Sequence, residues 1–318
     1  MKKSFINKEH VEGRVYEHSL ALKQVQNTAS ENYGKDFIGG TLDIATDDDC
    51  LNIVTINFTY VTPTTKSGAV NATYSVLKDI IENGKTVLCD GKESATMVTV
   101  DTALGVNDFY TNRNGEEVLV SAKRNDGGFV KKVSKLNPDE SKRNTFDFDF
   151  LIKNTSLIEA DEERGIAEDY LVVKGYVFNF RKDILPVDLI VRDNGGINYF
   201  MSLEASEKNM TFTKVWGNIT SQTIVNTVEE AAAFGGARVK TYDRKIKEWI
   251  ITGASNEPYE IGDENTITLD ELKVAEQNRE IALADVKKRQ DEYQASKNGN
   301  AFNNATSGTT AATGSFIF

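Results

Sequence analysis

Aromatic and cationic side chains alternate along several strand-like runs of this chain, and that combination can hold unpaired nucleic acid. Cations follow the phosphates while ring faces accept stacked bases. In the first half, Tyr110 and Arg113 precede an Asn114-Gly115 turn, and Lys123 and Arg124 lead through Asp126-Gly127-Gly128 to Phe129, Lys131 and Lys132. In the second half, Tyr176, Phe178 and Phe180 share one face at the two-residue period of a strand and run into Arg181 and Lys182. Lys214 stands beside Trp216, and Arg238, Lys240, Tyr242, Arg244, Lys245, Lys247 and Trp249 form the densest basic run. Each cluster also has a plainer reading. The aromatic triple, Trp216, and Phe58 with Tyr60 all suit a barrel core, and the basic run suits a solvated hairpin.

Groups that catalysis could tune are scarce. The two histidines, His10 and His18, lie near the N-terminus without a Cys or acid constellation around them. No phosphate-binding glycine loop opens a helix and no nucleophile elbow is present. Asp47-Asp48-Asp49 and the Asp147/Asp149 pair have ligand types suited to Mg²⁺, but such doublets also belong in turns and on solvent faces of strands. The expectation is a protein that is not an enzyme and has no cofactor and no metal. Cys50 and Cys89 lack CxxC spacing and read as reduced, core-type thiols in strand-like contexts.

The elements that must carry these residues read as mainly β with minor α. Period-two runs include 11–16, 37–45 and 52–61, and a helical run from Ala72 to Glu82 stops at Asn83-Gly84. Further strands are expected at 97–100, 117–122 and 128–133. After a polar stretch the pattern restarts with runs at 146–152, 169–180, 184–192 and 197–203, a helix-like stretch at 227–234, and runs at 238–241 and 248–253. At roughly 100–200 residues per domain, the 318 residues suggest two domains. The division reads as a first β domain over 1–136, a linker over 137–145, a second over 146–262, a charged helix over 263–297 and a disordered tail over 298–318. Thr268 with Glu271 forms a capping pattern at the start of that helix. Each half has the length and element order of an OB-fold, a five-stranded, partly open barrel. Two unrelated β-sandwich-like modules remain the alternative.

A net charge of −11 confines any anion-binding surface to one face and makes binding there salt-sensitive. No run spans a membrane, and the start lacks the apolar core of a signal peptide, so the expected location is the cytoplasm.

With Val11-Glu12-Gly13-Arg14-Val15, the paired strand blocks, Gly175-Tyr176-Val177-Phe178 and the apolar tip Phe316-Ile317-Phe318, the chain resembles phage-type or mobile-element single-stranded DNA-binding proteins with OB-fold domains. The resemblance implies a sequence-tolerant protein that coats single-stranded DNA in replication or recombination. It also implies a tail whose terminal aromatic, Phe318, recruits replication or recombination enzymes. The family's tail is acidic before its tip, whereas 299–318 carries no charge, so the tip could dock instead into a neighbouring subunit of a homo-oligomer. The acidic balance and uncharged tail also suit a structural or assembly protein whose β-domains bind protein. The single-strand reading expects the Arg113–Lys132 and Arg238–Lys247 groups to line one continuous groove.

Overall fold

Alternation of buried and exposed residues builds the strands, and distant pairing closes them into rings. The computed structural model describes residues 4–161, 166–206, 208, 210–230, 234, 236, 238–259 and 266–303, of which 222–230, 240, 242–245 and 296–303 are described by backbone alone. The first half comprises β1 (Asn7–His18), β2 (Ala21–Gln24), β3 (Asp36–Ala45), β4 (Ile53–Val61), α1 (Ala72–Asn83), α2 (Val87–Asp90), β5 (Met97–Arg113) and β6 (Glu116–Lys132). The second comprises β7 (Asn144–Ile158), β8 (Tyr170–Phe178), β9 (Ile184–Val191), α3 (Asn194–Ser202), β10 (Thr211–Glu230) and β11 (Arg238–Ala254), with α4 (Leu269–Asn303) last.

In the first half β1 pairs with β3, β3 with β4, β6 with β5, and β5 with β1, all antiparallel. A short parallel contact of β4 with β6 at Ile56↔Asn125 and Asn57↔Asp126 closes the ring. The second half repeats this order: β7–β8, β8–β9, β11–β10 and β10–β7 are antiparallel, and β9 meets β11 in parallel at Ile190↔Ile250. Between the third and fourth strands of the ring stand α1 in the first half and α3 in the second. This strand order is that of an OB-like, partly open five-stranded ring, and it occurs in both halves. Antiparallel pairing of β1 with β7, from Asn7↔Phe148 to Val11↔Asn144, joins the rings into one 11-stranded sheet. One apolar core crosses that junction, with Val11, Val15, Leu42 and Ile56 from the first ring and Phe148, Phe150, Val177 and Val215 from the second.

Several local expectations change. Residues 227–230, expected to begin a helix, extend β10, because Thr227↔Thr241 and Glu230↔Arg238 pair them across a hairpin; residues 231–233 lie outside the described set. The second half's helix is α3 instead, in the run 197–203 expected as a strand. Asp193 caps it by accepting from the Gly196 N–H at 2.8 Å, and Ile197 and Phe200 are its buried face. The runs 117–122 and 128–133 merge into β6. Cys50 is half-buried in a turn at φ 58° and Cys89 is exposed in α2, so neither free thiol is of the core type or on a strand.

At its start α4 packs Leu272 and Ala275, with Ile267 before it, on Leu151, Phe178, Ile184 and Phe212 of the second barrel. The capping box forms: Thr268 Oγ1 accepts from the Glu271 N–H at 3.2 Å, and the Thr268 N–H donates to Glu271 Oε2 at 2.9 Å. The helix continues past 297 to Asn303, into the stretch expected to be disordered, and 304–318 lie outside the described residues. Among the described residues no helix is long and apolar enough to cross a membrane.

Candidate nucleic-acid interface

The strands that outrun their rings make the binding geometry. β5 pairs with β1 only as far as Glu9↔Thr102, yet its hairpin with β6 continues to Arg113↔Glu116. Asn114 (φ 54°) and Gly115 (φ 88°) supply the left-handed conformations that this tight turn requires. The resulting arm lies against the second barrel, where Lys123 Nζ donates to the Asp188 carbonyl of β9 at 2.5 Å. Reciprocally, β10 leans on the first barrel: Asn52 Nδ2 donates to the Ile219 carbonyl at 3.2 Å, and the Ser221 N–H donates to Asn52 Oδ1 at 2.6 Å.

Between the first arm and the second barrel runs a groove of about 670 Å³, walled by Asn7, Leu104 and Val106 on one side and Phe180, Arg181 and Lys182 on the other. The β8–β9 turn fixes the latter group. Asn179 Oδ1 accepts from the N–H groups of Arg181 (2.8 Å) and Asp183 (3.0 Å), and Lys182 takes φ 69°. Phe180 therefore projects from the end of β8, 89% exposed, with the Arg181 guanidinium 5.2 Å from its ring centroid. Across Asp126 and Gly127 the groove meets a second recess along β4, at 57–61. Tyr60 stands there 42% exposed, 4.8 Å from the Phe37 ring. Its parity with buried Phe58 gave it a core reading, but β4 outlasts the ring at that end, so Tyr60 is an exposed ring that the alternation alone misplaces.

Other expected site residues are placed elsewhere. Trp249 is 1% exposed and its Nε1 donates to Glu9 Oε1 at 2.7 Å, so it cannot stack with a base. Burial pushes the Glu9 carboxyl up to about 8, against the lowering hydrogen bond from Trp249, while Asp126 raises it further. Lys123 sits 4.9 Å over the Trp249 ring, and burial lowers its pKa, although Asp188 and Glu248 oppose the shift. Tyr110 is taken by α4: its N–H donates to Gln290 Oε1 at 2.9 Å and its carbonyl accepts from Gln290 Nε2 at 2.5 Å. Lys287 lies 5.3 Å over its ring. Arg124 pairs with Asp126, Lys132 with Asp79, and Lys214 with Asp147.

Arg113 is exposed at the arm tip, and Arg238 and Lys247 are exposed on β11. Phe129, Lys131, Lys214 and Trp216 lie on an outer sheet face. The side chains of Lys240, Tyr242, Arg244 and Lys245, and the tip Phe316, Ile317 and Phe318, fall outside the described residues. One continuous groove joining the two basic groups does not form among the described residues. Arg124 is neutralised by an acid of its own strand, and Lys132 and Lys214 by acids that folding brings from other elements.

No curated protein matches the chain. Among solved structures it is similar to a deletion mutant of the single-stranded DNA binding protein from Thermus aquaticus. That likeness has a TM-score of 0.44 at 8% identity, over 82% of this chain and 98% of that one. The YorF family model matches residues 6–289, nearly the whole described chain, and the protein belongs to the YorF family.

Proposed function

We propose that this chain binds single-stranded DNA without sequence preference, along the groove between its two barrels, and performs no catalysis. The observation that carries the reading is the exposed Phe180 with Arg181 and Lys182 beside it, at the place where a duplicated OB-fold brings a long hairpin arm across a neighbouring barrel. OB-folds take oligonucleotides on the face of their second and third strands and on the loop between the fourth and fifth, which is here the arm. Phe180 offers a ring for stacking, Arg181 and Lys182 have no acidic partner among the described residues, and Tyr60 offers a further ring along β4. Coating single strands during replication or recombination, with partner enzymes recruited by the C-terminal tip, is the role this chemistry would serve.

A second reading, a structural or assembly protein, is favoured by one observation: α4 already occupies the first arm at Tyr110. Titrating labelled oligo-dT at several salt concentrations separates the two. Single-strand binding predicts saturable association that weakens steeply with salt, and a loss of roughly tenfold for Phe180→Ala or Arg181→Glu. No association even at low salt leaves the assembly reading.

A further inference from the structure

Phe129 and Trp216 belong to a surface that the groove does not include. Strands β6, β5, β1, β7 and β10 are neighbours, and their registers run Phe129↔Asp101, Asp101↔His10 and His10↔Thr145. Two residues along, Lys8↔Asp147, Asp147↔Trp216 and Trp216↔Gly253 complete the row. Partners directly opposite share a face, so all these side chains stand on the outside, while Val11, Val100, Val130, Phe146 and Val215 point into the core. A recess of about 550 Å³ lies at the centre of the row, around Lys8, His10, Asp101, Phe129 and Asp147, and shares no residue with the groove.

Both ends of the row carry an open ring. Phe129 is 73% exposed and has no aromatic neighbour among the described residues. Trp216 is 42% exposed and lies on the backbone at Gly253, where an added Cβ would stand 2.4 Å from its Nε1. One side of the indole is thus held against the sheet and the other is free. The acids between the rings are engaged: Asp101 with His10 Nδ1 at 2.8 Å, Asp147 with Lys214 Nζ at 3.0 Å, and Glu12 with the Asn137 N–H at 2.6 Å. Lys8 and Lys131 have no acidic partner among the described residues, so two ammonium groups stand available on a face that Asp101 and Glu12 otherwise keep close to neutral. Four strand-to-strand steps of about 4.8 Å separate Phe129 from Trp216, roughly 19 Å in all. At about 3.4 Å per nucleotide that is the length of some five stacked bases.

We propose that this outer face is a second track for single-stranded nucleic acid, with Phe129 and Trp216 stacking bases and Lys8 and Lys131 on phosphates. Isolated rings separated by polar and cationic side chains suit bases strung on a phosphate backbone better than they suit a protein partner, which would cover a contiguous apolar patch. The proposal rests on the single-strand reading above and adds a contact that the groove does not make.

The test uses the full chain and a labelled oligo-dT of about 30 nucleotides, long enough for two OB-folds. Oligonucleotide anisotropy reports all binding, whereas quenching of protein emission reports Trp216, since Trp249 is sealed. The expected result is quenching that vanishes in Trp216→Phe and falls severalfold in a Phe129→Ala, Lys131→Glu variant. Phe180→Ala with Arg181→Glu should weaken the anisotropy isotherm but leave quenching at saturation; all these side chains are exposed, so folding is not at stake. Saturating anisotropy with unmoved emission overturns the second track alone, as does quenching abolished only by the groove variant. No anisotropy change at low salt removes the single-strand reading, and the track with it.

Discussion

Replacing Glu9 by Gln should flatten the pH dependence of stability. Glu9 is 2% exposed between the barrels, and Oε2 has no hydrogen-bond partner there, while Oε1 accepts from Trp249. Burial raises its pKa from 4.5 to about 8, a preference for the neutral carboxyl on the order of 4–5 kcal/mol. The folded chain therefore keeps this proton at pH values where the unfolded chain has lost it. The stabilisation is complete below about pH 4.5 and declines as pH rises, until it is gone above the folded-state value near 8. Between pH 5 and pH 7 the wild type should lose about 2–3 kcal/mol through this one group. Glu9→Gln keeps an acceptor for Trp249 and carries no titrating proton. The difference between the two proteins should thus move in favour of Gln by that amount over the same interval. Urea unfolding at half-unit pH steps, followed by tryptophan emission, measures it, and the contribution of Asp149, whose shift does not involve Glu9, cancels in the difference. Parallel stability curves for the two proteins would refute the argument.

Arg143→Met should cost about 1–3 kcal/mol in the same unfolding assay, because the buried guanidinium serves the Asn137 carbonyl (2.6 Å), the Thr46 carbonyl (3.3 Å) and Asp48 Oδ1 (2.8 Å). The Asp48 carboxyl, now held below the usual range chiefly by its hydrogen bond from Arg143, should then titrate higher by NMR. Gln290→Ala should release the second half of α4 from the arm, since its carboxamide pairs with the Tyr110 backbone as a strand would; faster hydrogen exchange at the Tyr110 N–H is the readout. Acrylamide should quench Trp216 and spare Trp249, so Trp216→Phe should leave a blue-shifted, largely unquenchable emission.

What the residues alone determined is local. Period-two runs located β1, β3 and β4, Asn114-Gly115 marked its hairpin, Thr268 with Glu271 marked the start of α4, and the paired strand blocks pointed to two OB-like units. These follow from contacts among residues a few positions apart, which composition and spacing record. The reversal of α3 and of the end of β10 came from a cap at Asp193 and from hairpin pairing, which outweighed the helix propensity of Glu229 and Glu230. Which rings meet solvent was decided only by the tertiary structure. Alternation distinguishes two faces of a strand but does not say what covers either one, so Trp249, alike in pattern to Trp216, is sealed by Glu9 and Lys123 from other strands. Charge followed the same rule: a lysine's availability depends on the nearest carboxylate in space, and folding brought Asp79 to Lys132 and Asp147 to Lys214 while leaving Lys8, Lys131 and Arg181 without an acid among the described residues.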